Sequence, residues 1–263
     1  MAELRRLLMA AERLKGAGDA VPLTPEERHY LRRVLRLRPG DDLAVVDGLG
    51  HLWTAQLVDG EHLSLHQPLD HPHETTNPPT PRLGLAVVGV RRGMDEVMRM
   101  ACELGIDCIQ PLTSQWRTPQ AEDRPDRWQT ILNEAVEQCE RLWRPELRPT
   151  LAAEAWWPMP GDGALKALAT TRQESLIDVD AWLAEQGCPQ PGAVASEVWI
   201  AIGPEAGWTS TEQNDAVRNG WIPVQMGSTI LRTSTAAVSA ATLLSQWRFR
   251  RSREALIKTS VTP

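Results

Sequence analysis

Within "MGSTILRTSTAAVSAA", residues 226–241, Arg232 is the only charge among small residues, hydroxyls and one Ile-Leu pair. The pattern predicts a strand ending at Gly227, a short irregular loop, and a helix starting near Thr233. Arg232 then sits beside a helix N-terminus, where the macrodipole opposes a cation. A guanidinium held there points to an anionic partner, either a local carboxylate or a substrate on which negative charge develops. Some twenty residues earlier, "IGPEAGWTSTE" (202–212) puts Gly203, Pro204, Glu205 and Gly207 in a turn before a helix capped by Thr209 or Ser210. Glycines in such a turn let a ligand approach the backbone closely. Glu205 has no cation beside it in sequence, so it reads either as a solvated loop acid or as a group facing a positively charged ligand. Neither G-x-G-x-x-G nor G-x-x-x-x-G-K-[ST] occurs, which removes the usual cradles for nucleotide phosphates.

A second kind of chemistry lies in "RHYLRRVLRLR" (28–38), where Arg28, Arg32, Arg33, Arg36 and Arg38 occur without an acid. The run reads either as a solvated helix face or as a phosphate-contacting patch. "QWRFRRSR" (246–253) is a second basic cluster.

These residues need elements to position them. Before residue 70, "LTPEERHYLRRVLRL" predicts a short helix with Thr24 as N-cap, Pro25 at the first position and Glu27 closing a capping box. "DDLAVVDGLG", "HLWTAQLVDG" and "EHLSLHQPL" predict hairpin strands between Gly-bounded turns, so a small β-barrel with one helix is the economical reading. "DHPHETTNPPTP" (70–81) carries four prolines and reads as an extended linker. The expected division is therefore a barrel over 1–72, a linker over 73–81 and an α/β domain over 82–263.

After the linker, strands and helices alternate. "RLGLAVVGV" (82–90), "IDCIQPLTS" (106–114), "GALKALAT" (163–170), "EVWIAIG" (197–203) and "WIPVQMG" predict strands. Helices are expected with Val97, Met100, Ala101 and Leu104 on one face, and over 124–143, 179–187, about 210–219 and about 233–251. Such alternation argues for a parallel sheet with ligands at the carboxyl ends of its strands.

The chain of 263 residues has 42% hydrophobic and 24% charged residues, the balance of an ordinary soluble protein. Its net charge of -6 disfavours promiscuous nucleic-acid binding while leaving local basic patches open. No run approaches the roughly 18 apolar residues of a membrane span, and the N-terminus does not read as a signal peptide, so a cytoplasmic protein without membrane attachment is expected. Cys102, Cys108, Cys139 and Cys188 lack metal-binding spacing, and all six histidines lie at or before residue 73, so no metal site is expected. Eleven tryptophans stand against one Tyr and one Phe. Most should be core or interface aromatics, and a few on loops could stack on a ligand or base.

Taken together, "IGPEAGWTSTE" and "MGSTILRTSTA" resemble the paired signatures of the ribosomal RNA small-subunit methyltransferase E family of SPOUT methyltransferases. "RRVLRLRPGDDLAVVDGLG", "ACELGIDCIQPLTSQWR" and "EAVEQCERLWRPEL" agree with it in order along nearly the whole chain. The resemblance implies a PUA-like barrel joined to an α/β domain with a C-terminal trefoil knot, an exception to the rule that chains do not thread their own loops. It implies a homodimer that uses S-adenosylmethionine to methylate N3 of a uridine, position 1498, in 16S rRNA.

Carried onto this chain, the resemblance implies that Leu168, Thr170, Ile202, Gly203, Pro204, Glu205, Gly207, Met226, Gly227, Ser228, Ile230, Leu231 and Thr235 bind the cofactor. Arg232 would stabilise charge developing on the uracil, with solvent or Glu205 receiving the proton. Arg32, Arg33, Arg36, Arg91 and Arg92 would contact RNA, with Arg141 and Arg144 as weaker candidates. Two departures stand out, since the family usually has glycine at Ala206 and glutamate at Ser234, while Trp208 replaces its usual phenylalanine. The open alternatives are a SPOUT enzyme of another RNA site or of ribose 2'-oxygen, and a non-catalytic ribosome-assembly protein.

Overall fold

The computed structural model describes residues 4–16, 20–161, 163–171, 173, 175–185 and 196–260, with side chains of the last helix described through residue 253. Cys188 and the end of the helix expected over 179–187 lie outside the described residues. The chain forms two units, Met1–Pro79 with Asn133–Arg144, and Thr80–Leu132 with Pro145–Pro263.

The first unit contains β1 (Arg6–Leu8), α1 (Ala11–Lys15), β2 (Val21–Pro22), α2 (Pro25–His29), β3 (Asp42–Val46), β4 (His51–Leu57), β5 (His62–Leu65) and β6 (Glu74–Thr75). Its strands form one sheet in the order β1-β3-β4-β5-β2, with β6 paired to β4. The three predicted hairpin segments are the antiparallel run β3-β4-β5. Leu31, Leu43, Val45, Trp53, Ala55, Leu57 and Leu63 form the core beneath them. The capping box of α2 is present, because Thr24 Oγ1 accepts from the Glu27 N–H at 3.2 Å and the Glu27 carboxylate accepts from the Thr24 N–H at 2.8 Å. Beyond α2 the helix widens into a π turn over Tyr30–Val34, with the Leu35 N–H donating to the Tyr30 carbonyl at 3.0 Å. In the same unit the Leu8 N–H donates to Glu137 Oε1 at 2.8 Å, and burial pushes the Glu137 carboxyl up to about 7.

The division expected from sequence differs here in two ways. Glu74 and Thr75, inside the expected 73–81 linker, pair with Leu52 and His51. Residues 133–144 also belong with the first unit. The cause is long-range backbone and indole pairing, as the Gly50 N–H donates to the Leu142 carbonyl at 2.9 Å and the Trp143 indole donates to Thr76 Oγ1 at 3.1 Å.

The second unit runs through β7 (Arg82–Val88), α3 (Met94–Glu103), β8 (Cys108–Thr113), α4 (Pro125–Gln138), β9 (Glu146–Leu147), β10 (Leu151–Ala152), α5 (Ala153–Trp156), β11 (Leu165–Ala169), β12 (Ile177–Asp178), α6 (Val179–Glu185), β13 (Glu197–Ile202), α7 (Ser210–Arg218), β14 (Ile222–Gln225) and α8 (Thr233–Ser260). α4 itself runs from this unit into the segment counted with the first. Every described pairing is parallel, in the order β10-β8-β7-β13-β11-β14-β12, with β9 also on β8. The near-continuous apolar strands fit this, since helices cover both faces of such sheets. On α3 the buried residues are Met94, Val97, Met98, Ala101 and Cys102. The expected stripe is thus rotated, with Met100 and Leu104 only half-buried. α8 is tied beneath the sheet by Arg248, which pairs with Asp107 and donates to the Gly105 carbonyl at 2.8 Å.

Candidate functional site

Three loops leave the carboxyl ends of the adjacent strands β13, β11 and β14, and cross-links hold them together. The Trp208 indole N–H donates to the Ala169 carbonyl at 3.0 Å, joining the loops after β13 and β11. The Thr170 N–H donates to the Val224 carbonyl at 3.0 Å, joining β11 to β14. The Thr233 hydroxyl donates to the Gly203 carbonyl at 2.9 Å, fastening the first turn of α8 to the loop after β13. Gln213 on α7 completes the lattice, its amide donating to the Trp208 carbonyl at 3.1 Å and its Oε1 accepting from the Thr170 hydroxyl at 3.0 Å.

These loops enclose a cavity of about 300 Å³. Its lining is mostly backbone, small residues and aliphatic side chains, with Glu205 its only charge among the described residues. The turn Pro204–Gly207 closes through the Gly207 N–H donating to the Pro204 carbonyl at 2.8 Å, with Gly207 at φ +81°. A Cβ on Gly203 would lie 3.0 Å from the Trp208 indole, so a side chain there would push on the ring. Trp208 is itself anchored edge-on to Trp157 at 5.2 Å, and Trp157 to Trp221 at 5.2 Å, which makes the cavity floor an extension of the core. Ala206 does not take positive φ, so its β-carbon fits the turn without backbone strain.

A second cavity, of about 380 Å³, shares Glu205 and Thr233 with the first and is lined also by Val90, Arg91, Arg92, Thr118, Arg232 and Ser234. Arg232 precedes α8, and its carbonyl accepts the first helical bond, from the Ala236 N–H at 2.9 Å. Its side chain is exposed and makes no ion pair with the described residues, so the local-carboxylate reading finds no partner here. Ser234, standing where the resemblance expects glutamate, lies close against Gly93, where an added β-carbon would come within 3.1 Å of that of Ser234.

In the first unit, a separate cavity of about 670 Å³ is bounded by Arg28, Arg32, Arg33, Arg36 and Arg38, with His29, Leu37 and Pro39. Arg28 pairs with Glu61 at 2.9 Å, while Arg32, Arg33 and Arg36 make no ion pair with the described residues. Arg36 has φ +60°, a left-handed conformation that costs a non-glycine residue of order 1 kcal/mol. The π turn and this left-handed residue together bend the chain so that side chains from one run surround a common space. Strain of this kind is retained where the surrounding structure, and often function, requires it.

Of the residues implied to bind the cofactor, eleven line the first cavity, from Thr170, Ile202 and Gly203 through Leu231. Leu168 does not, because it is fully buried in the core under the sheet, and its neighbour Ala169 lines the cavity instead. Thr235 lies outside the lining, exposed on the first turn of α8. Arg91 and Arg92 lie with Arg232 in the second cavity. Sequence reasoning missed the cavity roles of Thr233, Gln173 and Thr118, whose positions follow from loop packing rather than residue type. No group of three or more metal-binding side chains occurs among the described residues, and no helix among them is long and apolar enough to cross a membrane.

The RNA methyltransferase domain model matches residues 77–245, and the RNA methyltransferase PUA domain model matches residues 23–66. A ribosomal RNA small subunit methyltransferase E from Synechocystis is 35% identical over 237 residues, covering 89% of this chain and 75% of the relative. The structure of such a methyltransferase from Neisseria gonorrhoeae, bound to S-adenosyl methionine, matches with a TM-score of 0.73 at 26% identity, covering 93% of this chain and 98% of that one. A methyltransferase from Legionella pneumophila in complex with the same cofactor matches with a TM-score of 0.74 at 25% identity and the same coverage, 93% and 98%. With a PUA-type unit, a parallel α/β unit and loops converging on one cavity, the chain belongs to the ribosomal RNA small subunit methyltransferase E family of RNA methyltransferases.

Proposed function

We propose that this chain methylates N3 of a uracil in 16S rRNA, the uridine 1498 that the family resemblance implies, using S-adenosylmethionine. The observation that carries the reading is the adjacency of two unlike cavities, one lined by loop residues with Glu205 as its single described charge, the other lined by three arginines, joined through Glu205 and Thr233. The first suits an adenosine and a methionine chain, since adenine is held well by backbone donors and acceptors in an apolar slot. Ile202, Gly203, Met226, Gly227, Ile230 and Leu231 would hold the cofactor. When bound, it supplies an electrophilic methyl group on a sulfonium.

The acceptor nitrogen carries a proton and is a poor nucleophile until that proton leaves. Arg232, free of any carboxylate partner among the described residues, stabilises the negative charge that spreads onto the uracil carbonyl oxygens, as a prearranged donor does in an oxyanion hole. Glu205, the one described carboxylate lining both cavities, is assigned the N3 proton. To reach the site, the target base must leave its stack, so RNA recognition rests on a splayed nucleotide and on phosphate contacts. Arg91 and Arg92 in the second cavity, and Arg32, Arg33 and Arg36 in the first unit, supply those contacts.

The same reading includes the knotted topology, a homodimer and a cytoplasmic site of action. Ile230, 63% exposed on the rim of the donor cavity, is an apolar surface that a second copy would cover. Sedimentation at micromolar concentration should give twice the monomer mass. For the reaction itself, the protein is incubated with labelled donor and unmethylated small ribosomal subunits, and the modified base is mapped by nucleoside mass spectrometry. 3-methyluridine at a single position is expected, whereas 2'-O-methylnucleoside or no product would overturn the proposal.

A further inference from the structure

Nine of the eleven tryptophans are buried, and Trp143 is half-buried with its indole bonded to Thr76. Trp116 alone is exposed, at 49%. It lies on the loop after β8, at the same carboxyl edge of the sheet as the loops that form the two cavities. Both neighbours of Trp116 are fixed. The Gln115 N–H donates at 3.0 Å to the carboxylate of Glu212, itself buried in the cap of α7. The Arg117 guanidinium donates to the Gly89 carbonyl at 3.3 Å and to Asp123 at 2.6 Å. Thr118, two residues on, lines the cavity that holds Arg91, Arg92 and Arg232.

An indole left half in water on a pinned backbone gives up about half of the burial that a ring of its size could gain. Its exposed apolar ring, two residues from Thr118 in the wall of a cavity with three arginines, matches a nucleobase next to a phosphate. We infer that Trp116 is the stacking platform for an RNA base flanking the target nucleotide, a specificity-determining contact of the acceptor side. The inference rests on the RNA-methylating reading above. Base stacking tolerates any base but requires an aromatic plane, and its loss to alanine weakens binding by roughly 5- to 150-fold.

The test compares Trp116→Ala and Trp116→Phe in the full chain. It measures the Kd for a fluorescein-labelled, uridine-containing single-stranded oligoribonucleotide, KM and kcat on unmethylated small subunits, and donor Kd by calorimetry. Trp116→Ala should raise the oligonucleotide Kd and the KM at least ~5-fold, with kcat and donor Kd within ~2-fold of the parent, while Trp116→Phe restores most of the affinity. Unchanged Kd and KM in Trp116→Ala would overturn the inference, as would a loss of donor affinity, which marks a structural role. If the parent protein methylates nothing, the proposed function falls, and the oligonucleotide Kd alone then decides for or against Trp116.

Discussion

Around the cavity at the ends of β13, β11 and β14, glycine backbone and side chains such as Met226, Ile230 and Leu231 face about 300 Å³ with Glu205 as the only described charge, whereas five arginines border about 670 Å³ in the first unit. The first cavity holds its shape through cross-links between loops, Trp208 to Ala169 and Thr233 to Gly203. The arginine cavity of the first unit depends on a π turn and on Arg36 in a left-handed conformation. A small nucleoside ligand is selected by shape and backbone hydrogen bonds, so its site needs rigidity and few charges. A polyanion is held by charge that tracks phosphates, so its site tolerates looser geometry but not charge reversal. The cavity around Arg232 lies between these extremes, sharing Glu205 and Thr233 with the first and carrying three arginines of its own.

The strongest way to break the contrast is to reverse the charge of the first unit. Arg32→Glu, Arg33→Glu and Arg36→Glu together should weaken RNA binding roughly 100-fold at low salt and flatten its salt dependence, while donor affinity stays as it was. Filter binding across a salt series checks this, and undiminished RNA affinity would return these residues to a solvated helix face. Next in size is Gly203→Val, which pushes side-chain atoms into the Trp208 indole. Overpacking of this kind costs about 2 kcal/mol of stability, read as a lower Tm, and the displaced ring should weaken donor binding while RNA binding hardly changes.

A smaller effect separates the two units by pH. Burial raises the Glu137 carboxyl from 4.5 to about 7, so its protonated form is the one the fold favours. Its stabilising contribution is complete below pH 4.5 and is lost as pH rises through about 7. Discounted for partial solvent contact, the loss is on the order of 1–2 kcal/mol. Glu137→Gln should flatten that part of the Tm profile between pH 5 and 8 and leave donor affinity alone. Smallest is Trp208→Phe, which keeps the ring and deletes the bond to Ala169. About 1 kcal/mol of stability should go with it, read as a lower Tm with a donor Kd raised a few-fold.

What was legible in the sequence divides along the same line. The Thr24–Glu27 capping box, the arginine run and the turn glycines are local signals, and each stands where the residues indicated. The loop pairs at Gly203 and Gly227 became specific only through the family resemblance, because glycines and aliphatics at a ligand site look like any turn. Long-range pairings left no trace. Glu74–Thr75 pair with β4 from within a proline-rich stretch, residues 133–144 join the first unit, and β9 and β10 are two-residue strands flanking Pro149. Leu168 shows the limit for single residues, since an apolar residue at a strand end serves equally as core or as lining until neighbouring helices decide. Gly93 shows the reverse, because a β-carbon there would lie 3.1 Å from that of Ser234, a constraint that no reading of either segment alone could supply.

If Arg232 acts on the acceptor base and not on the donor, the decisive variant is Arg232→Ala, measured by single-turnover methylation of unmethylated small subunits, with donor Kd determined separately by calorimetry. Loss of one donor aimed at developing charge should slow methyl transfer roughly 100-fold while donor Kd stays within ~2-fold. Methyl transfer at the parent rate, or a rate loss explained entirely by weaker donor binding, would remove Arg232 from the acceptor side.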